Sequence, residues 1–211
     1  MRRRRATRHP EEKKMRKTWF VTGAASHVGA QLVRDALAAG HAVVAADADP
    51  AAVLRACASS VATAGERLLV LRLDEVDARA VAEAVRAATQ RFGRIDVLVH
   101  GAAACSPRSE FAPPGRDLRR DFSATVRALF NITRGVLEAM REQRAGRIHH
   151  LVPPPGATAG PALFSISGFC EAVAADVAPY GITVSALEPE QLRSLARTRR
   201  SPGRDELLEE A

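Results

Sequence analysis

Aromatic side chains make up only 4% of this 211-residue chain, with a single tyrosine, Tyr180, and a single tryptophan, Trp19. Lysine is just as thin: Lys13, Lys14 and Lys17 are the only three, all near the amino end. Cysteine occurs three times, at Cys57, Cys105 and Cys170, an odd number at unrelated spacings. That excludes a disulfide framework and a cysteine-rich metal cluster, and it suits a reducing compartment. No apolar run approaches the roughly 20 residues that a membrane span needs. No apolar segment follows the basic start as it would in a secretion signal, so a cytoplasmic protein is expected. What remains is an ordinary globular composition, 46% apolar and 26% charged, long enough to bury one sizeable core.

The formal charge is +7, but its location weakens a nucleic-acid reading. Residues 1–14 carry Arg2, Arg3, Arg4, Arg5, Arg8, Lys13 and Lys14 against Glu11 and Glu12, a net +5. Residues 1–17 therefore read as a solvated basic tail, and 195–211 as a second polar tail rich in arginine and glutamate. Such a tail attracts phosphates without reading sequence, and nucleic acid is not the expected partner. Met15 stands directly before the first apolar segment and would serve equally as a start.

Between the tails, residues 18–194 alternate in type. Thr18–Val21 is short and β-rich. Ser26 can cap a helix with Val28, Leu32, Ala36 and Leu37 on one face, stopped by Gly40. Ala42-Val43-Val44-Ala45-Ala46 is composed like a fully buried strand, and Asp49-Pro50 opens a second helix. Arg67–Asp74 reads as a third strand, and Asp77 opens a helix bearing Val81, Val85, Ala88 and Phe92, closed by Gly93. Ile95–Val99 is a fourth strand. Leu118, Phe122, Val126, Leu129, Thr133, Val136 and Met140 then mark one face of a long helix. Ile148–Val152 and Thr183–Leu187 supply two more strands, with a helix ending near Ala178 between them. This pattern predicts one doubly wound α/β domain, a three-layer Rossmann-like fold with a parallel sheet ordered 3-2-1-4-5-6.

In such a sheet a ligand sits beyond the carboxyl ends of the strands, and the first strand-to-helix turn takes phosphates. Here that turn reads Thr22-Gly23-Ala24-Ala25-Ser26-His27-Val28-Gly29. Backbone N–H groups at the helix start can face a diphosphate, and small residues let it approach. Asp47 closes the second strand, where a carboxylate accepts hydrogen bonds from an adenosine ribose and repels a 2′-phosphate, favouring NAD over NADP. Asp74 closes the third strand, near where an adenine would lie. Both aspartates have an alternative as plain helix or turn caps.

Over residues 15–194 the chain resembles the short-chain dehydrogenase/reductase family. The segment KTWFVTGAASHVG looks like that family's first strand and T-G-x-x-x-G-x-G turn. RFGRIDVLVHGAA is similar to its fourth-strand segment ending N-N-A-G. NITRGVLEAMREQRAGRI and APYGITVSALEP resemble its long helix and its fifth and sixth strands. The resemblance implies an NAD(P)-dependent oxidoreductase ancestry, with an NAD site at Thr22, Gly23, Ser26, Val28, Gly29, Asp47, Asp74, His100 and Ala102.

The departures fall on chemical positions. His27 replaces the turn's second glycine and is expected to crowd the pyrophosphate, so that NAD binding is weak or lost. N-N-A-G becomes His100-Gly101-Ala102-Ala103, the helix asparagine aligns with Thr125, and the carbonyl-polarising serine aligns with Pro153. The family's tyrosine and lysine, four residues apart, fall on Phe164 and Gly168 in one alignment and on Ala159 and Leu163 in another. Neither pair supplies the groups, and Tyr180 with Lys13, Lys14 and Lys17 cannot assemble them. Among substitutes, adjacent residues His149 and His150 on strand five point to opposite faces, so at most one faces the cleft. Cys105, Ser165 and Ser167 lack a sequence partner that would activate them. The family also continues past strand six into a substrate-covering segment and a seventh strand, where this chain reads LARTRRSPGRDELLEEA.

Three functions fit these features. The first is a non-catalytic, NAD-binding pseudoenzyme that forms a homo-oligomer or pairs with an active relative. The second is an oxidoreductase or non-redox enzyme with an unusual acid or base acting on an unknown small molecule. The third is a structural or nucleic-acid-associated protein acting through its basic tail.

Overall fold

The computed structural model describes residues 16–101, 118–152 and 162–198, with side chains at all of them except 118–121, 162–165 and 194–198. Six strands form one sheet: β1 (Thr18–Thr22), β2 (Ala42–Asp47), β3 (Leu68–Arg72), β4 (Val97–His100), β5 (Gly146–Leu151) and β6 (Ile182–Leu187). All pairings are parallel, in the order β3-β2-β1-β4-β5-β6, as the alternation of elements predicts. The helices are α1 (His27–Ala38), α2 (Pro50–Ala56), α3 (Ala58–Ala64), α4 (Ala78–Phe92), α5 (Leu118–Gln143), α6 (Ala162–Val177) and α7 (Pro189–Thr198).

Local chemistry sets the helix ends. Ser26 caps α1 by accepting from the Gly29 N–H, Asp49 caps α2 from Ala51 and Ala52, and Asp77 caps α4 from Arg79. Gly93 ends α4 in the left-handed conformation, φ 77°, which glycine adopts without a Cβ clash. The single second helix expected after Asp49 is broken at Cys57 into α2 and α3.

Strand residues alternate between two cores. Trp19, Val21, Val43 and Val99 face α1, while Phe20, Val44, Leu98 and Ile148 face α4 and α5. The expected stripe on α5 is right only in its second half. Leu129, Thr133, Val136 and Met140 are buried, joined by Ile132, but Phe122 is 39% exposed and Val126 half-buried. The reason is length: 26 residues extend about 39 Å, nearly twice the span of a six-residue strand. The early turns of α5 reach the cavity, where Ala124 and Thr125 form part of the wall, and Phe122 is left exposed among the described residues.

Candidate cofactor site

The order of strands reverses between β1 and β4, and the crevice outside that point is where a doubly wound sheet binds ligands. A cavity of about 570 Å³ opens there, with Gly23, Asp47, Asp74, Glu75, His100 and Thr125 in its wall. Of the nine residues expected to hold a dinucleotide, four line this cavity directly and four more build the turn beside it. Ala102 lies outside the described residues, as do Cys105, Pro153 and Ala159.

The turn is held by its own hydrogen bonds. The Gly23 carbonyl accepts from the Ser26 N–H at 3.1 Å and from the Ser26 hydroxyl at 2.7 Å. The same Ser26 Oγ accepts from the Gly29 N–H at 3.0 Å. Gly29 has no room for a side chain, since a Cβ there would meet the Gly23 carbonyl and come within 2.9 Å of Ala24 Cα. Val28 turns its side chain into the core, so it can offer a ligand only its backbone. With Gly29 capped, helix geometry leaves the N–H groups of His27 and Val28 at the open end of α1. The His27 side chain is exposed. Thr22 is buried, and its hydroxyl oxygen receives the Gly101 N–H at 3.4 Å, tying β1 to the end of β4.

Asp47 both faces the cavity and braces the turn. Its Oδ2 accepts from the Ala25 N–H at 3.0 Å and its Oδ1 from the Asp49 N–H at 3.2 Å. Asp74 lines the cavity while its Oδ1 accepts from the Val76 N–H at 3.0 Å. Both aspartates therefore brace local backbone and also face the cavity.

The parallel register sets His100 beside His150. Their Nδ1 atoms lie 3.0 Å apart, and His150 Nε2 is 3.2 Å from the Thr133 hydroxyl on α5. On the cavity side, His100 Nε2 is 3.4 Å from Glu75 Oε1, a buried oxygen with no hydrogen-bond partner among the described residues. Burial pushes His100 below the ordinary imidazole range, against the pull of the Glu75 carboxylate. It pushes His150 well below that range, helped by His100 and His149. Sequence reasoning placed His100 and His150 separately and missed Glu75 and the role of Thr133. The available signal was the pairing of strands four and five, with both histidines one step in register past Val99 and His149.

Neither strand-five histidine lines the cavity. His149 faces the opposite side of the sheet, with Nδ1 2.8 Å from the Ser185 hydroxyl, and burial beside Arg147 brings its pKa down to about 4. Tyr180 lies before β6 and packs its ring 5.3 Å from the Arg141 guanidinium. Lys17 immediately precedes β1. Both therefore stand at the amino ends of strands, opposite the cavity. On α6, Ile166 lines the cavity, whereas Gly168 is exposed with open space where its Cβ would be. Cys170 is buried, its thiol pushed up to about 11 by desolvation and by Glu171.

The sheet order, the glycine turn and the strand-end carboxylates define a Rossmann-type nucleotide-binding fold. Residues 17–204 match the short chain dehydrogenase family model, and the chain belongs to that family. It is 33% identical over 181 residues to the short-chain reductase protein NovJ of Streptomyces niveus, covering 81% of this chain and 67% of that protein. It is 28% identical over 188 residues to oxidoreductase BOA17 of Botryotinia fuckeliana, covering 85% of this chain and 67% of that one. Among solved structures, NAD+-bound xylitol dehydrogenase superposes with a TM-score of 0.69 at 26% identity, covering 83% of this chain and 71% of that chain. No helix among the described residues is long and apolar enough to cross a membrane.

Proposed function

We propose that this chain is a nicotinamide-dinucleotide-binding member of the short-chain dehydrogenase family that has lost the family's proton-transfer groups. It prefers NAD to NADP and works in the cytoplasm, as a homo-oligomer or as the partner of an active relative. The observation that carries this reading is the position of Tyr180 and Lys17 at the amino ends of their strands, at the opposite end of the sheet from the cavity. A nicotinamide ring held at the carboxyl ends would have no tyrosine–lysine pair to supply a proton to a developing alkoxide. A positioned acid or base contributes roughly 10²- to 10⁴-fold.

Several groups in this chain would hold the cofactor. The open N–H groups of α1 would meet the diphosphate, Asp47 the adenosine ribose and Asp74 the adenine edge. The backbone parts fit: a Cβ-free turn at Gly29 stands beside a cavity that has Asp47 and Asp74 in its wall, while the exposed His27 stands where a smaller residue would leave a diphosphate more room. When bound, NAD supplies a hydride acceptor; this chain's part is to bind and orient it. A second reading, an enzyme with an unusual acid, is favoured by one feature only, the Glu75–His100 contact in the cavity wall.

Calorimetric titration of NAD+ and NADP+ into the purified chain tests binding. Trp19 is a poor fluorescent reporter, because it stacks on His41 at the far end of β1. A turnover assay with either reduced cofactor across a broad panel of ketones tests the rest. No heat with either dinucleotide would defeat the binding reading. Steady NADH consumption that disappears in His100→Gln would defeat the non-catalytic one.

A further inference from the structure

The charged side chains in the cavity wall are Asp47, Arg72, Asp74 and Glu75, so one permanent cation stands among three carboxylates. Each carboxylate is engaged by the protein itself. Asp47 accepts from the Ala25 and Asp49 N–H groups, Asp74 accepts from the Val76 N–H, and Glu75 lies 3.4 Å from His100 Nε2. Arg72 differs from them. It is exposed, and among the described residues its guanidinium has no hydrogen bond and no ion pair. A surface arginine ordinarily serves solvation alone, but this one holds five N–H donors open at the wall of a ligand cavity.

Its position follows from the strand pattern. Arg72 is the last residue of β3 and lies opposite Asp47, the last residue of β2, in the parallel register. Leu68 and Val70 pack with Val43 and Ala45 on the α1 side of the sheet, whereas Leu69 and Leu71 pack with Val44 and Ala46 on the other. Alternation therefore puts Arg72 on the α1 side beside Asp47. That is the side on which the Asp47 carboxylate meets the glycine turn at Ala25. Neighbouring strands are about 4.8 Å apart, a gap that an arginine side chain spans with ease.

The chemistry at that spot separates the two nicotinamide cofactors. Asp47 is the residue assigned to the adenosine ribose, so a substituent on the ribose 2′ oxygen meets whatever flanks Asp47. NAD carries a hydroxyl there and NADP a phosphate. A carboxylate repels the phosphate, whereas a guanidinium can donate to two of its oxygens at once. Resting on the dinucleotide reading given above, we propose that Arg72 is a specificity-determining residue whose guanidinium takes the 2′-phosphate of NADP. It offsets the repulsion from Asp47, so NAD is preferred but NADP is admitted. The parts that both cofactors share feel Arg72 only through its long-range field. That contribution is common to both and cancels in the ratio of their affinities.

The sequence pattern assigns cofactor choice to Asp47 alone, because a strand-end carboxylate after a glycine turn is a local signal. Arg72 reads there as the polar end of a strand. Its neighbour across the sheet is 25 residues away in sequence, and only the β2–β3 register brings the two opposed charges together.

Calorimetric titration of NAD+ and NADP+ into the full chain and into Arg72→Gln tests the proposal, with the ratio of the two dissociation constants as the readout. A charge-assisted hydrogen bond to phosphate is lost only with NADP+, so Arg72→Gln should widen the preference for NAD roughly tenfold. Arg72→Lys keeps the charge but not the fork and should give an intermediate ratio; it also replaces the glutamine variant if that one does not fold. Binding of both dinucleotides with the same ratio in all three chains would overturn the role of Arg72 and leave the dinucleotide reading standing. So would a wild-type chain that gives heat with NAD+ and none with NADP+. No heat with either cofactor would defeat the dinucleotide reading, and the role of Arg72 with it.

Discussion

Gly29→Ala examines the turn on which the cofactor reading depends. The new methyl would collide with the Gly23 carbonyl and lie 2.9 Å from Ala24 Cα, both backbone atoms that cannot swing aside. Overpacking of this kind costs about 1–3 kcal/mol. Moving the Gly23 carbonyl also disturbs the Ser26 cap, whose hydroxyl bonds both Gly23 and Gly29, and a lost cap costs about 1 kcal/mol. Alanine in a helix recovers up to about 1 kcal/mol relative to glycine. The net expectation is a loss of about 1–3 kcal/mol, or roughly 2–12 °C in Tm for a chain of this size. Gly168→Ala is the matched control, because its Cβ would enter open space, and it should be neutral or stabilising. Urea denaturation followed by far-ultraviolet circular dichroism measures both. A Gly29→Ala chain as stable as the Gly168→Ala chain would refute the close contact between α1 and the turn.

Three other outcomes follow from particular residues. His149 is held neutral by burial, its pKa lowered from 6.5 to about 4, so the unfolded chain binds the extra proton and the contribution is present above pH 6.5 and lost as pH falls towards 4. That contribution is about 3 kcal/mol at most, and His149→Asn should flatten the pH dependence of the urea midpoint in that window; an unchanged slope would count against it. Asp47→Asn should narrow the preference for NAD over NADP by calorimetry while keeping an oxygen for the Ala25 N–H, whereas tighter NADP binding to the unmodified chain would contradict the assignment of Asp47. Phe164→Tyr with Gly168→Lys should not create turnover, because residue 168 lies about 200° around the helix from cavity-lining Ile166; ketone-dependent NADH oxidation by that double variant would show the helix register to be wrong.

Much of the architecture is legible because local signals agree. Ser26, Asp49 and Asp77 each cap the helix that their spacing predicts, and the runs of valine and alanine match strands covered on both faces. Boundaries slipped where the tertiary frame overrides a local pattern. His100 looks like the first loop residue after strand four but completes β4, because the parallel register sets it opposite His150 on β5. Phe122 continues the helical stripe into an exposed turn among the described residues, since a pattern of period 3.6 does not record how far the packed part of a helix extends.

The site was legible in its backbone parts and obscure in its side-chain parts, for one physical reason. A glycine turn and a strand-end carboxylate are local features, and each lies within a few residues of what defines it. The Glu75–His100–His150–Thr133 line is assembled from four elements, with His100 and His150 separated by 50 residues in sequence. Its members carry no shared spacing, only a shared sheet face and adjacent strands. Read singly, His150 is a buried histidine with a hydrogen-bond partner, and that reading is correct. Its consequence appears only when the partner is another imidazole. An imidazole can be donor or acceptor at either nitrogen, so a pair of them transmits the choice made at one end to the other. An asparagine pair at the same positions could also exchange hydrogen bonds, but an amide does not relocate its proton between two ring nitrogens at neutral charge.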